Sequence, residues 1–329
     1  MTDLAESTRQ AVQKLAPNRH GVVVAALTAD RTEVCSSGGL TVDSRLEIGS
    51  VSKVFTSLVL ARLVEAGEVR LDQPLHDFLP APAGITLRHL ATHTSGLPRL
   101  PKGMLLKALL RPNTPDPYAD CTADYLIANL SRIRPAPPGT RFRYSNLGAG
   151  LLGLALARHT GLSYGDLVAR EITTPLGLTG TGVGGPVEPE HDAKLRPVQP
   201  WNMADLAGAG GLRSTTTDLI AFVRAHFEES PITAAVGLAL DVEHRVNPFL
   251  TVRLGWMAQR LHDKLGGHLQ IYHNGQTGGA FAFVGFDRAK RVGVVVLSDT
   301  SRIVDGPAMD LLRELQSSEH QSSEHQSGQ

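Results

Sequence analysis

The chain has 329 residues, enough for one large domain or two interleaved domains. Its 32 Lys and Arg balance 32 Asp and Glu and are scattered, which argues against nucleic-acid or membrane partners held by bulk electrostatics. Only two cysteines occur, Cys35 and Cys121, so we expect two free thiols, no metal site and no other cofactor.

The first predicted element is an amphipathic helix over residues 1–17, where apolar residues recur at helical spacing among charged ones. This segment lacks the apolar core of a signal peptide. The sequence also contains no run of about 18 apolar residues that could span a membrane. We therefore expect a soluble cytoplasmic protein.

Two predicted strands follow, over residues 20–27 and 32–36, and an extended stretch at 46–49 then leads into a helix over residues 51–65. The helix opens on Ser50-Val51-Ser52-Lys53, a spacing that sets Ser50 and Lys53 one turn apart on the same face. A lysine with a depressed pKa can accept the serine's proton, and N–H groups at a helix start suit an oxyanion. Taken alone, the tetrapeptide is more typical of a capped surface helix.

Residues 71–224 are predicted to be helical and rich in loops, because prolines interrupt them too often for a sheet. Within them, Tyr144-Ser145-Asn146 precedes a predicted helix over residues 147–158. The phenol of a Tyr-x-Asn can relay a proton, and its amide can hold a carbonyl oxygen or a lysine. A buried tyrosine followed by an asparagine cap is the alternative interpretation.

The C-terminal part returns to strands, predicted over residues 255–260, 267–273, 280–286 and 292–297, and closes with a helix over 306–315. His273-Asn274-Gly275-Gln276 lies among them, and its glycine would let a substrate approach a strand edge. Alone, this segment would be interpreted as a tight turn. Residues 316–329 repeat Gln-Ser-Ser-Glu-His without aliphatic or aromatic residues, which predicts a disordered tail.

The elements indicate an α/β (α+β) protein with two domains. Residues 1–70 and 225–315 are predicted to form a sheet domain from both chain ends, and residues 71–224 a helical domain inserted between them. The remaining polar residues are predicted to be structural. His89 and His93 are not assigned to a metal site, because residues 92–96 are interpreted as a structural turn. His226, His262 and His268 are assigned to the surface, and Asp205 and Asp218 to helix caps.

The three motifs together resemble the serine β-lactamase and penicillin-binding-protein-like superfamily, in which S-x-x-K is joined by two further elements. Tyr-x-Asn and His-x-Gly are similar to the branch of class C β-lactamases, D-alanyl-D-alanine carboxypeptidases, D-aminopeptidases and related esterases. Residues 85–98 and 210–215 resemble further segments of that family, and the resemblance runs from about residue 21 to residue 312. It implies a DD-peptidase/β-lactamase-like fold, with an antiparallel sheet flanked by helices and a mostly helical inserted domain.

The resemblance also implies catalytic roles. Ser50 would attack a carbonyl and form an acyl-enzyme, while Lys53 and Tyr144 share the proton transfers. Asn146 matches the amide that orients the lysine and the acyl carbonyl.

The third motif matches the family's substrate-binding elements. The backbone N–H groups of Ser50 and of Gln276, which follows Gly275, would form the oxyanion hole. His273 stands where class C enzymes carry lysine. Because histidine has an ordinary pKa near 6.5 and is mostly neutral at pH 7, efficient β-lactamase activity is not expected.

These features predict a cofactor-free serine hydrolase acting on a small ester or amide, of the esterase or D-amino-acid peptidase type. The alternative is an acyltransferase that passes the acyl group to an amine or alcohol. An efficient β-lactamase and a non-catalytic acyl-binding module are less favoured. The expected partner is a small-molecule acyl substrate, and the sequence leaves the oligomeric state open.

Overall fold

The structure, a computed structural model, describes residues 3–104, 110 and 114–324. Its strands are β1 Val22–Leu27, β2 Thr32–Ser37, β3 Leu46–Glu47, β4 Gly182–Val183, β5 Glu190–His191, β6 Pro197–Val198, β7 Leu212–Ser214, β8 His244–Arg245, β9 Leu250–Val252, β10 Met257–Arg260, β11 Leu269–Gln276, β12 Phe281–Asp287 and β13 Val292–Ser298. Eight of them form one antiparallel sheet in the order β2-β1-β13-β12-β11-β10-β9-β8. Two smaller sheets have the orders β3-β7-β4 and β5-β6.

Helices surround this sheet and fill the region between its two sequence segments. The α-helices are α1 Leu4–Leu15, α2 Ser52–Glu65, α3 Leu87–Ala91, α4 Ala123–Leu130, α5 Asn146–Thr160, α6 Tyr164–Val168, α7 Thr174–Leu176, α8 Thr216–Arg224, α9 Thr233–Asp241 and α10 Asp305–Glu324. Short 3₁₀ turns occur at Gly49–Val51, Leu75–Asp77, Ala204–Ala209 and Asp263–Leu265, and a π-helical segment at Ala169–Thr173.

The central strands are buried on both faces, because successive side chains point to opposite sides of a sheet. In β1, Val23 and Ala25 join the core that also contains α2, while Val22 and Val24 pack with α1 and α10. The sheet is therefore the middle layer between two apolar cores. The predicted antiparallel sheet flanked by helices is confirmed.

Most predicted element positions agree with the structure to within a few residues. The main difference that bears on function concerns β11, which runs to Gln276 instead of ending at residue 273 as predicted, so that Gly275 lies within the strand. The proposed division into two domains stays a prediction. The large sheet draws its strands from residues 22–37 and 244–298, and α8, from the segment predicted as helical domain, packs on β1 and β13.

Two sequence-based predictions are wrong. His226 is 1% exposed, not on the surface, and its Nδ1 donates to the Phe222 carbonyl at 2.8 Å while its ring packs edge-on against Trp256. The His268 side chain is only 9% exposed, with Nδ1 3.9 Å from Asp287 Oδ2. His262 is exposed, as predicted.

Disorder was predicted for residues 316–329. This prediction is wrong for residues 316–324, because α10 continues to Glu324. Gln316 is fully buried; its amide accepts from Gln270 Nε2 at 3.0 Å and donates to Asp287 Oδ2 at 2.7 Å. A polar residue is thus accommodated in the core by complementary hydrogen bonds. Residues 325–329 of the predicted tail lie outside the described residues.

Across the described ranges, every helix is too short or too polar to cross a membrane. The cytoplasmic location stays a prediction.

Candidate active site

Ser50 lies in the tight turn that joins β3 to α2. The Ile48 N–H donates to the Leu212 carbonyl at 3.1 Å, which fixes the end of β3 against β7. Gly49 then adopts a φ of +48°, a left-handed conformation that glycine tolerates without a Cβ penalty. The Ser52 hydroxyl donates to the Gly49 carbonyl at 2.7 Å and accepts from the Leu212 N–H at 3.0 Å. These bonds hold the serine at the start of the helix.

Lys53 reaches back from the first turn of α2 to Ser50. Its Nζ lies 2.8 Å from Ser50 Oγ and donates to the Ala209 carbonyl at 2.5 Å, and the side chain is 1% exposed. Burial lowers the pKa of Lys53 well below its ordinary value, and the positive charge of Arg99 lowers it further. A neutral amine at this distance can accept the serine's proton.

Tyr144 approaches the same hydroxyl from the segment before α5. Its phenol hydrogen-bonds Ser50, and its ring centroid is 5.0 Å from Lys53 Nζ. Burial raises the pKa of Tyr144 to about 12, although the bond to Ser50 opposes this shift. The phenol therefore stays protonated at neutral pH. The structure thus brings the three predicted catalytic side chains together around one oxygen.

Asn146 opens α5 directly after Ser145, which caps the helix. Its Nδ2 donates to the Tyr118 hydroxyl at 3.3 Å, and its Oδ1 is buried without a hydrogen-bond partner among the described residues. The resemblance implied a contact between this amide and Lys53, whereas the lysine is held by the Ala209 carbonyl. The free Oδ1 remains available to another donor in the site.

Gly275 is pressed against the serine turn. A Cβ added there would lie 1.9 Å from the Ile48 carbonyl oxygen and 2.8 Å from the Ser50 nitrogen, far inside van der Waals contact. On the opposite side, a Cβ at Gly49 would lie 2.7 Å from the Gln276 nitrogen. Two glycines therefore allow β11 and the turn to approach so closely that the N–H groups of residues 50 and 276 become neighbours.

The strand register directs the Gln276 N–H towards that turn. The Thr277 N–H donates to the Ala280 carbonyl at 3.0 Å. Hydrogen-bonded and non-hydrogen-bonded pairs alternate along an antiparallel ladder, so the preceding pair, Gln276 and Phe281, is not hydrogen-bonded. The Gln276 N–H therefore points away from β12. The Gln276 side chain is held aside by Ser301, to whose hydroxyl its Nε2 donates at 3.0 Å. The backbone N–H is then positioned to serve as an oxyanion donor together with that of Ser50.

His273 lies two residues earlier on β11 and is 4% exposed. Its Nδ1 donates to the Asn274 carbonyl at 2.6 Å, which leaves Nε2 as an acceptor, and its ring centroid is 6.3 Å from that of Tyr144. Burial, and secondarily the charge of Lys53, lowers the pKa of His273 to about 3. The imidazole is therefore neutral at physiological pH.

A cleft of about 460 Å³ begins beside these residues. It is lined by Tyr144, Met257, Gln259, Tyr272, His273, Asn274, Asp305, Gly306, Met309, Asp310 and Arg313. Its mixture of thioether, aromatic and polar groups suits a small substrate with an apolar part and a polar end.

His93 belongs to the site but was assigned to a turn from the sequence. Its ring is 5% exposed and packs 4.4 Å from the Tyr144 ring, and its Nδ1 accepts from the Ser145 N–H at 3.2 Å. Tyr118, which bonds Asn146, and Arg99, whose guanidinium lies 5.6 Å from the Tyr144 ring centroid, were also missed. The motif around His93 was visible in the sequence, but its contact with the tyrosine was not.

In the described part of the chain, one group of residues offers metal-ligand atoms within 4.8 Å of one another: His20, His191 and Asp299. The two imidazole rings stack face to face at 3.6 Å with 5° between their planes, so their lone pairs run parallel instead of converging. Asp299 Oδ1 already accepts from the Gly21 N–H at 2.7 Å. This arrangement does not favour a coordinated ion.

The chain belongs to the Beta-lactamase family, whose pattern matches residues 8–317. It is an enzyme, a serine hydrolase of the penicillin-binding-protein-like superfamily.

Individual relatives differ in their named activities. The D-alanyl-D-alanine-carboxypeptidase/endopeptidase AmpH of Escherichia coli (strain K12) is 28% identical over 314 residues, covering 84% of this chain and 78% of that protein. A class C β-lactamase from Rhodobacter sphaeroides superposes with a TM-score of 0.79 at 25% identity, over 93% of this chain and 98% of its own. A D-stereospecific amidohydrolase from Streptomyces sp. has a TM-score of 0.79 at 24% identity, with 94% and 98% covered.

Proposed function

We propose that this protein hydrolyses a small ester or amide through an acyl-enzyme on Ser50, without a cofactor. The observation that carries the proposal is the 2.8 Å separation between Ser50 Oγ and the buried Lys53 Nζ, whose pKa burial holds well below its ordinary value. A nucleophile beside a neutral amine needs neither a metal nor an imidazole base.

The proposed reaction has two halves. Ser50 Oγ attacks the substrate carbonyl carbon as its proton passes to Lys53, and the carbonyl oxygen becomes an oxyanion held by the N–H groups of Ser50 and Gln276. The carbon–leaving-group bond then breaks, and the leaving group takes a proton relayed through Tyr144. Water attacks the ester so formed, with the same groups in reverse, and releases the acid.

The neutral His273 supports an ester or an uncharged amide as the substrate. A substrate carboxylate is best held by a permanent cation, and an imidazole whose pKa lies at about 3 provides none at neutral pH. Arg313 lines the same cleft, but it is already paired with Asp310, with its Nη1 3.1 Å from Oδ1. The relatives named as a carboxypeptidase and a D-stereospecific amidohydrolase support amides of D-amino acids as the first compounds to examine. Efficient turnover of a β-lactam carboxylate is not expected.

Acyl transfer is the second candidate. The cleft beside Tyr144 and His273 contains apolar side chains such as Met257 and Met309, which could hold an acceptor alcohol or amine against the acyl-enzyme. In that case the acceptor, instead of water, would attack the acyl carbonyl.

A labelling experiment tests the nucleophile. A fluorophosphonate probe should modify the wild-type enzyme at Ser50, and Ser50→Ala should abolish labelling, with exposed Ser131→Ala as the control for labelling specificity. Persistent labelling at another serine would refute the assignment. Product analysis of p-nitrophenyl esters and D-amino-acid amides, with and without an added alcohol or amine, then separates hydrolysis from transfer.

A further inference from the structure

Two buried carboxyl groups meet beneath the serine turn. Glu47, on β3, is 3% exposed and Glu190, on β5, is 2% exposed, and their side chains are within hydrogen-bonding contact. Glu47 Oε1 accepts from the Trp201 N–H at 2.5 Å, and Glu190 Oε1 accepts from the Glu47 backbone N–H at 2.8 Å. The Thr277 hydroxyl also faces Glu47.

The contact between the Glu47 and Glu190 side chains requires a proton on one of them, because ionised carboxylates accept hydrogen bonds but cannot donate them. The other oxygen of each carboxyl, Oε2, is buried, and the groups that face it are the opposing carboxyl and, for Glu47, the Thr277 hydroxyl. Two touching carboxylates cannot both stay ionised away from water, since each raises the cost of charging the other. If Glu190 is protonated, its hydroxyl donates to the Glu47 carboxylate, and the contact becomes a hydrogen bond.

The pair lies between the two segments that carry the proposed oxyanion donors. Glu47 lies three residues before Ser50 in the chain. Glu190 packs against the turn that follows Gln276, where a Cβ added at Gly279 would lie 2.6 Å from the Glu190 Cβ. The carboxyl pair is therefore a bridge between the serine turn and the end of β11.

We propose that Glu47 and Glu190 share one proton and act as positioning residues that hold the N–H groups of Ser50 and Gln276 in register for the oxyanion. This inference rests on the proposed hydrolase function, because it concerns the oxyanion hole of that reaction. When the shared proton is lost, the two adjacent negative charges repel each other and the two side chains move apart. The N–H groups of Ser50 and Gln276 then also move apart.

The surrounding charges favour one ionised and one neutral carboxyl. Arg213, on β7, is the described cation that faces both groups, with its Nη2 3.9 Å from Glu47 Oε1. His191 follows Glu190 along β5, where alternation directs it to the opposite face. Burial, followed by the charge of Glu47, raises the pKa of Glu190 to about 9. The bridge is thus intact at neutral pH and loses its proton in mildly alkaline solution.

Glu190→Gln is the central test, because its amide reproduces a neutral acid: the oxygen still accepts and the N–H₂ still donates. Acylation of Ser50 by a p-nitrophenyl ester is followed from about pH 7 to pH 10. In the wild-type enzyme kcat should fall as the pH rises through about 9, with little change in KM. Glu190→Gln should keep most of the rate at pH 7 and lose this alkaline fall. Exposed Glu188→Gln, from the same segment, should behave as the wild type.

Glu190→Ala removes the bridge and should lower kcat at pH 7 by about tenfold or more, part of the 10²–10³ effect of a lost oxyanion donor. Gln fills the same volume as Glu, so the readout that separates a shared proton from packing alone is the alkaline fall of kcat, present in the wild type and absent in Glu190→Gln. Equal pH profiles for wild type and Glu190→Gln would overturn the proposal. The proposal would also be overturned if Glu190→Gln and Glu47→Gln both failed to fold. A neutral amide would then be unable to replace the neutral acid that the proposal requires.

A binding measurement independent of turnover completes the test. The free energy of unfolding in urea is measured as a function of pH for wild type and Glu190→Gln, and its slope gives the number of protons exchanged on unfolding. Lys53 is present in both proteins, so its contribution cancels in the comparison. Between about pH 5 and pH 9 the wild-type folded state should hold one more proton relative to its unfolded state than the variant does. Identical proton balances would contradict a shared proton, even if fluorophosphonate labelling had upheld the nucleophile.

Discussion

The close approach of β11 to the serine turn makes Gly275→Ala the most direct perturbation of the proposed oxyanion hole. The added methyl carbon would lie 1.9 Å from the Ile48 carbonyl oxygen and 2.8 Å from the Ser50 nitrogen. Both obstacles are backbone atoms, so no side-chain rotation relieves the clash. The strand and the turn must separate by about 1 Å or more to restore van der Waals contact.

That displacement moves the Gln276 N–H away from the oxygen that it would stabilise. A misplacement of about 1 Å can cost about 10² in rate, and loss of an oxyanion donor typically costs about 10²–10³. We therefore expect kcat/KM to fall about 100-fold, which is about 2.7 kcal/mol of transition-state stabilisation. The loss should be in kcat, with KM nearly unchanged, because the interaction forms in the transition state.

The assay is steady-state hydrolysis of a p-nitrophenyl ester, accompanied by thermal unfolding. Overpacking typically costs about 1–3 kcal/mol, which lowers the Tm of a chain of this size by a few degrees without unfolding it at 25 °C. Gly237→Ala is the matched control, since no atom lies within 4 Å of its added Cβ; α9 should be stabilised by up to about 1 kcal/mol with activity retained. A Gly275→Ala enzyme with activity within threefold of wild type would refute the oxyanion geometry.

Three further predictions follow from the ionisation states. Lys53→Ala and Tyr144→Phe should each remove most of the acylation rate, and the double variant should be little worse than either, because they serve one proton relay; additive losses would mean that they act separately. His273→Lys should spare ester turnover and improve kcat/KM for a cephalosporin carboxylate; wild-type cephalosporin turnover near about 10⁷–10⁸ M⁻¹s⁻¹ would contradict the substrate assignment. Burial lowers the pKa of His226 from 6.5 to about 4, so the folded protein should lose about 3 kcal/mol of stability as the pH falls between those values. Urea unfolding of wild type and His226→Phe measures this, and the variant should lack the step.

The sequence predicted the parts of this fold that depend on local pattern. Continuous apolar runs located β1, β12 and β13, and the S-x-x-K spacing placed Ser50 against Lys53 because one helical turn separates them. The short strands β8 and β9 were missed, since a segment of two or three residues carries little periodicity. Gln316 and His226 were misplaced because residue type suggests exposure, whereas their environment supplies hydrogen bonds inside the core.

The less predictable part of the site consists of contacts between distant segments. Nothing near Tyr118 in the sequence indicates that its hydroxyl accepts from Asn146, and nothing in the segment around Glu190 indicates a second carboxyl beside it. Such partners are chosen by the packing of whole elements, which local spacing does not record. The family resemblance located the motifs but did not provide the Ala209 carbonyl that holds Lys53.

The pairing of β1 with β13 has a consequence for synthesis on the ribosome. The nucleophile, the lysine and the tyrosine all emerge early, but the strand that carries Gln276 is translated late, and so is the strand that completes the sheet beside β1. During that interval one edge of an apolar strand lacks its partner and is open to aggregation, which favours protection by a chaperone. Until the last strands dock, Ser50 therefore lacks one of its two proposed oxyanion donors, and we expect the nascent chain to be inactive until then.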